Sequence, residues 1–282
     1  LIQSILLGII QGITEFLPIS SSAHLVLTPY LLGWKLNQDY MFLFNVLVQI
    51  GTLVAVIAYF REDLWIIAKE MVKGIRRKKP FEEIPACIGY YVLVATIPAG
   101  VVGVLAKDYI AAAFGSPRLT SLFLIGTAVM LVLAERAGKR NRELGDMSMI
   151  DAIWIGLFQA LSVFPGISRS GSTITGGMTR HLDRKTAGQF AFLMSIPIML
   201  AAGTMEAFDL FSMENISSFL PILLVGFISA AVSGFIAIRW LLKFISQHSL
   251  LPFAIYCFLL GTGTFTLTLT GTPYSNPNIQ PI

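Results

Sequence analysis

Hydrophobic residues run almost without interruption along this chain, and the places where they stop define its elements. Leu1–Leu17 has a helical pattern and should end at Pro18, because proline removes a backbone donor and clashes with the preceding turn. After a serine-rich break, Ala23–Leu32 resumes. Neither piece reaches the roughly 20 apolar residues that cross a bilayer. With a polar break between them, they predict a re-entrant helix–loop–helix that returns to the side it came from. Met41–Phe60 predicts a full span. Arg61–Lys79 is amphipathic and ends in Arg76-Arg77-Lys78-Lys79, so it is expected along the membrane surface.

Further spans are predicted at Ile84–Ala106, bent by Pro98 and Gly100, and at Leu119–Ala134, before a polar loop from Glu135 to Gly145. Ile150–Phe164 is broken at Pro165-Gly166 and Ser170–Thr179 resumes briefly, a second re-entrant candidate. Thr186–Phe208, Phe219–Leu242 and Leu251–Thr270 complete six spans, and the tail from Gly271, rich in Pro and Asn, is expected to be loosely ordered. The fold class is therefore an all-α membrane protein forming one domain over residues 1–282. A β-barrel is excluded, since the apolar runs are continuous and do not alternate.

Composition agrees: 55% of the 282 residues are hydrophobic and only 13% are charged, where a soluble domain would carry about a quarter. The net charge of +4 does not point to nucleic acid, because its placement has a simpler cause. If the first re-entrant pair enters from outside, 16 of the 20 Lys and Arg fall in cytoplasmic segments. Only Lys35, Lys107 and Arg118 lie outside, with Arg169 at the second break. Both termini are then external. Leu1–Ile10 has neither a basic leader nor a small-residue cleavage site, so no cleavable signal peptide is expected. Cys87 and Cys257 sit in separate apolar segments without metal-ligand spacing and read as core residues.

The chain also repeats itself. Ile9-Ile-Gln-Gly-Ile-Thr-Glu-Phe-Leu-Pro18 resembles Leu157-Phe-Gln-Ala-Leu-Ser-Val-Phe-Pro165, allowing one gap, and Phe42-Leu-Phe-Asn-Val-Leu resembles Phe190-Ala-Phe-Leu-Met-Ser. Repeat one covers about 1–134 and repeat two about 150–270. Entering from opposite sides, they are inverted repeats, an architecture that places a polar site where broken helices meet at mid-membrane.

Polar residues in these breaks carry the chemistry. Ser20, Ser21 and Ser22 can cap the helix that follows them, and Gly166–Gly171 can do the same at the second break. Both helix starts leave backbone N–H groups for an anion, and Arg169 adds a planar cationic fork, so a phosphate or diphosphate is the expected ligand. Gln11 and Glu15, four residues apart, share a helix face. Glu15 can ligate a divalent cation or act as a base, while Gln11 offers a neutral carbonyl; such oxygens suit Mg²⁺ or Ca²⁺ shared with phosphates. His24 can serve as general acid–base or nucleophile. Charged groups in a membrane segment usually mark function. Thr14, Ser162 and Gln159 read as local hydrogen-bonders.

At these residues the sequence resembles the undecaprenyl-diphosphate phosphatase, or bacitracin-resistance, family of integral membrane enzymes. Gln11, Glu15, Pro18, Ser20, Ser21 and His24 match its first motif, and Pro165, Gly166, Ser168, Arg169, Ser170 and Thr173 match its second. The resemblance implies hydrolysis of a long polyprenyl diphosphate to the monophosphate, at the outer side of the plasma membrane, with a divalent cation. This would recycle the carrier lipid of cell-envelope glycan synthesis. By motif match Glu15 assists with the cation or as a base; Ser21 or His24 attacks phosphorus, the pair Ser21 with His24 as its base being preferred. Arg169, with Ser20, Gly166, Ser168, Ser170, Gly171 and Thr173, holds the diphosphate. Gln11 replaces the Glu found in many members, which weakens a two-carboxylate metal site, and Ala23 stands where Gly is usual. The competing expectation is a transporter or flippase of polyprenyl phosphate built on the same repeats. Whether the chain forms a homo-oligomer is left open.

Overall fold

The computed structural model describes residues 1–34, 38–210 and 216–270, without the side chains of 38–43, 111, 205–210 and 216–219. The tail from Gly271 and Lys35 therefore lie outside the described residues. Among those residues the chain is a sequence of helices: α1 (Ile2–Phe16), α2 (Ser21–Leu32), α3 (Gln38–Tyr59), α4 (Arg61–Arg76), α5 (Ile84–Leu105), α6 (Lys107–Phe114), α7 (Pro117–Ala137), α8 (Met149–Leu161), α9 (Arg169–Thr179), α10 (Arg184–Leu210), α11 (Ile216–Ile245) and α12 (Leu251–Leu269).

The six predicted spans correspond to α3, α5, α7, α10, α11 and α12. Five are long and apolar enough to cross a bilayer as they stand: Ile84–Leu105, Pro117–Ala137, Arg184–Thr204, Leu220–Ile245 and Leu251–Leu269. The sixth, α3, runs into α4 through a bend of 73°. None of the α4 residues is buried, and Trp65, Ile66 and Ile75 face outward beside its lysines and arginines, as an interfacial helix requires. The short helix α6 falls between two of the spans, α5 and α7.

Local rules account for the breaks. Leu17 is extended (φ −64°, ψ 141°) because the residue before a proline is driven out of the α region, which stops α1 at Pro18. At 15 residues, α1 is about 22 Å long, short of the roughly 30 Å hydrocarbon core. Ser20 and Ser168 cap α2 and α9 through their side-chain oxygens, to Ala23 N at 3.3 Å and Gly171 N at 3.1 Å. Both helices consequently begin earlier than their apolar residues do, α2 at Ser21 and α9 at Arg169. The cap fixes the start where the hydrophobic pattern does not.

The bent helices dock in reciprocal fashion. α1 packs on α11, and a Cβ on Gly8 would lie 2.5 Å from the carbonyl oxygen of Gly226. α8 packs on α5, and a Cβ on Gly156 would lie 2.6 Å from the carbonyl oxygen of Ala95. Gly8 and Gly156 each stand three residues before a glutamine, Gln11 and Gln159. Helices α7 and α12 pack on one another, and Phe16, Phe190, Phe192, Leu124, Ile174 and Met194 belong to one buried core.

Ion pairs tie the ends of the second hairpin. Asp151, fully buried in the first turn of α8, accepts from Arg142 (2.7 Å) and from Arg180, just past α9 (2.6 Å). Glu135 at the end of α7 does the same for Arg140 (2.8 Å) and Arg184 (2.6 Å), and also accepts from the amide of Leu250. The start of α8 and the end of α9 thus lie side by side. The pairing of these residues comes from the fold.

Candidate active site

The two breaks meet. Ser22 Oγ accepts from the amide of Gly166 at 3.2 Å, and Ser170 Oγ donates to the Leu17 carbonyl at 3.0 Å. Behind the second break, Thr127 of α7 donates to the Gly166 carbonyl and accepts from the Ser168 amide, both at 2.9 Å. Thr127 sits in an ordinary span sequence, and nothing in the local pattern separates it from a packing residue.

Glu15 is the centre of the junction. Its side chain is only 8% exposed. Oε1 pairs with the Arg169 guanidinium. Oε2 accepts from Ser21 Oγ at 2.6 Å and from Gln11 Nε2 at 2.9 Å. An arginine at the first position of α9 thus reaches an acid on the last turn of α1, 154 residues away in sequence. Gln11, Glu15, Ser21 and Arg169 form one connected cluster.

His24 is placed differently from its expected partnership with Ser21. Its Nδ1 lies 2.7 Å from the Ser20 carbonyl, which can only accept, so Nδ1 carries the proton. Its Nε2 is 2.7 Å from the hydroxyl of Tyr256 on α12. Both ring nitrogens are engaged, and Ser21 turns instead to Glu15. The arrangement pairs the serine with a carboxylate because α1 brings Glu15 beside the start of α2, while the His24 ring, one turn further on, faces α12.

The remaining expected residues divide by position. Ser20 holds a left-handed backbone (φ 67°), secured from both sides by its bonds to Ala23 and His24. Ser168 and Ser170 lie 3.1 Å apart, oxygen to oxygen, within the junction. Gly171 is buried one turn into α9, and the Thr173 hydroxyl donates back to the Arg169 carbonyl at 2.7 Å, so these two shape the helix start. Among the described residues the amides of Ser21, Ser22, Arg169 and Ser170 have no hydrogen-bond partner, as expected at two helix starts. Amides left free at a helix start are the groups that can receive an anion.

Gly166 closes the junction with a left-handed backbone (φ 102°), and a Cβ there would press on the Thr120 carbonyl and Phe123. Gly166→Ala is expected to lower the thermal unfolding temperature and to remove most turnover. The backbone strain alone is worth about 1–3 kcal/mol. Gly263→Ala, where a Cβ meets nothing within 4 Å, is the control and should unfold no earlier than the parent.

A cation site was expected at Gln11 and Glu15. Among the described residues no group of three His, Cys, Asp or Glu comes together. Gln11 Oε1 is buried without a partner beside the Glu15 carboxylate. The donor set is thus one carboxylate and one orphan amide oxygen, which fits a hard cation that draws its other ligands from a phosphorylated substrate.

The family described as bacitracin resistance protein BacA matches residues 4–263. The chain is similar to an undecaprenyl-diphosphatase of Chlorobaculum tepidum, with 42% identity over 283 residues covering 96% of this chain and 98% of that one. It is similar also to one of Myxococcus xanthus, 40% identical over 271 residues that cover 96% and 90% of the two chains. A third, from Rubrobacter xylanophilus, is 40% identical over 270 residues, covering 95% and 98%.

Proposed function

The chain belongs to the bacitracin resistance protein family, and on that footing we propose that the junction of the two breaks hydrolyses a polyprenyl diphosphate of the undecaprenyl type. The products are the polyprenyl monophosphate and inorganic phosphate. One observation carries the assignment of roles: the Ser21 hydroxyl rests on a buried carboxylate whose other oxygen holds an arginine at a helix start.

The terminal phosphoryl group enters where Arg169 meets Glu15. The guanidinium exchanges carboxylate oxygens for phosphate oxygens, two partners its fork fits equally well. Amides at the starts of α2 and α9 add donors that need no reorganisation as charge develops. Once Arg169 has turned to the phosphate, Glu15 Oε2, already bonded to Ser21, takes the Ser21 proton while Oγ attacks the terminal phosphorus. The bond from phosphorus to the bridging oxygen breaks, and Glu15 gives the proton to the departing monophosphate. Water then attacks the phosphoserine; Glu15 receives the water proton and passes it to Ser21 Oγ as phosphate leaves. His24 steadies the strained turn at Ser20 and stands one helical turn from the reacting oxygen.

A divalent cation, Mg²⁺ or Ca²⁺, would be held by Glu15 and Gln11 Oε1 together with the substrate's own oxygens, and it would neutralise phosphate charge. Because Gln11 contributes an amide and not a carboxylate, Gln11→Glu is expected to lower the cation concentration for half-maximal turnover by about three- to tenfold. An unchanged metal titration would remove Gln11 from the cation site.

The two halves are read as inverted repeats, supported by the reciprocal docking of α1 on α11 and of α8 on α5 through Gly8 and Gly156. The basic residues of α4 and of the loops flanking α8 and α9 lie on the far side of the spans from Pro18 and Pro165 in this reading. That charge asymmetry favours an orientation with the site open to the outer face, and the family resemblance implies the plasma membrane. The deciding experiment is phosphate release from a polyprenyl diphosphate by the protein in detergent, with and without a chelator. Lipid binding with no phosphate released would end the phosphatase reading.

A further inference from the structure

Tyr256 lies on α12, a membrane span, 232 residues from His24 in sequence, yet its hydroxyl is 2.7 Å from His24 Nε2. The two rings are nearly parallel, 4° between planes and 5.7 Å between centroids. The next residue, buried Cys257, has its sulfur 3.7 Å from the carbonyl oxygen of Pro18, so α12 docks against the first break itself. Since Nδ1–H donates to Ser20, Nε2 of the neutral ring is a bare lone pair and the phenol must donate to it. Ser20 and Tyr256 therefore grip the imidazole from opposite edges, and through Ser20 the same grip reaches the left-handed turn that presents Ser21.

The geometry points to Tyr256 as a positioning residue for the hydrolytic reaction: Ser20 sets the tautomer of His24, and the Tyr256 hydroxyl fixes the orientation of that ring and thereby the turn that aims Ser21 at phosphorus. The inference rests on the phosphatase reading for its kinetic consequence only. Tyr256 makes no bond to Glu15, Arg169 or either helix start, so its removal should act on turnover and spare substrate binding. The residue is partly exposed, and Tyr256→Phe deletes one oxygen while keeping the ring, so the variant should fold as the parent does.

The test pairs kinetics with nitrogen NMR of protein labelled with ¹⁵N-histidine. The chain has three histidines, and the His24 signals are identified by their loss in His24→Gln. Wild-type His24 should show one tautomer, protonated at Nδ1. In Tyr256→Phe the Nε2 resonance should shift as it loses the phenol's hydrogen bond while Nδ1 stays protonated, kcat should fall about five- to tenfold and KM should hold. Tyr256→Gln, which lacks the ring but has a donor, should recover part of the lost kcat. Wild-type kcat in Tyr256→Phe, or an unaltered His24 spectrum, overturns the proposal. A Gln variant slower than the Phe variant assigns the effect to ring packing and overturns it too. Should the wild-type protein release no phosphate at all, it is the phosphatase reading that fails, and the spectra still decide whether Tyr256 controls His24.

Discussion

Ser21→Ala is expected to lower turnover by about 10⁴-fold or more while leaving lipid binding in place, the signature of losing a nucleophile that acts as part of a unit. Neighbouring hydroxyls cannot take over. Ser20 Oγ is committed to the Ala23 amide and to Ser22, and Ser22 Oγ to the Gly166 amide. Among the described residues only Ser21 places a hydroxyl on Glu15. Glu15→Gln keeps a similar shape but cannot receive the proton, so it should cost about 10²–10⁴-fold. The double variant should be little slower than Ser21→Ala alone, because the base has no function without the hydroxyl it deprotonates. Brief reaction with substrate labelled in its terminal phosphoryl group, followed by a neutral denaturing quench, should leave acid-stable label on Ser21. If Ser21→Ala turns over at nearly the parental rate and the label sits on histidine, the nucleophile is His24.

What was legible in the sequence follows from the range of each interaction. Pro18 and Pro165 end helices by local sterics, so both breaks are visible without any tertiary information. Glu15 and Arg169 stand out because a charge in a membrane segment is costly wherever the helix packs. Their mutual pairing is not visible, since it depends on the end of α1 meeting the start of α9. The preference for Ser21 with His24 as its base rests on motif match and on how commonly histidine activates serine. In the structure the side chains leave α2 toward different neighbours, one to α1 and the other to α12. Tyr256, Thr127 and the Asp151 pair were missed for the same reason: each reads as an ordinary residue of a span or a loop until another element is laid against it. The start of α9 at Arg169 is a smaller case, decided by a serine cap where the apolar pattern had placed it one residue later.

Arg169→Ala should be as damaging as loss of the nucleophile, but for two separable reasons. In the free protein it leaves the Glu15 carboxylate, 8% exposed, without its cation. Breaking a buried pair from one side typically costs about 3–5 kcal/mol, because the surviving charge is stranded. Thermal unfolding in a fixed detergent should therefore show a clear loss. Adding Glu15→Gln removes the stranded charge, so the double variant should regain much of that stability and none of the activity. In the reacting complex the same substitution removes the fork that grips the terminal phosphoryl oxygens. Arg169→Lys isolates this second effect: the charge stays near Glu15, whereas the planar two-donor geometry is gone. It should unfold close to the parent yet show a raised KM and a kcat lower by about 10²-fold, as when one donor to a developing anion is removed. Parental KM and kcat in Arg169→Lys would show that the arginine serves only to neutralise Glu15. The grip on the diphosphate would then fall to the helix starts at Ser21 and Ser170.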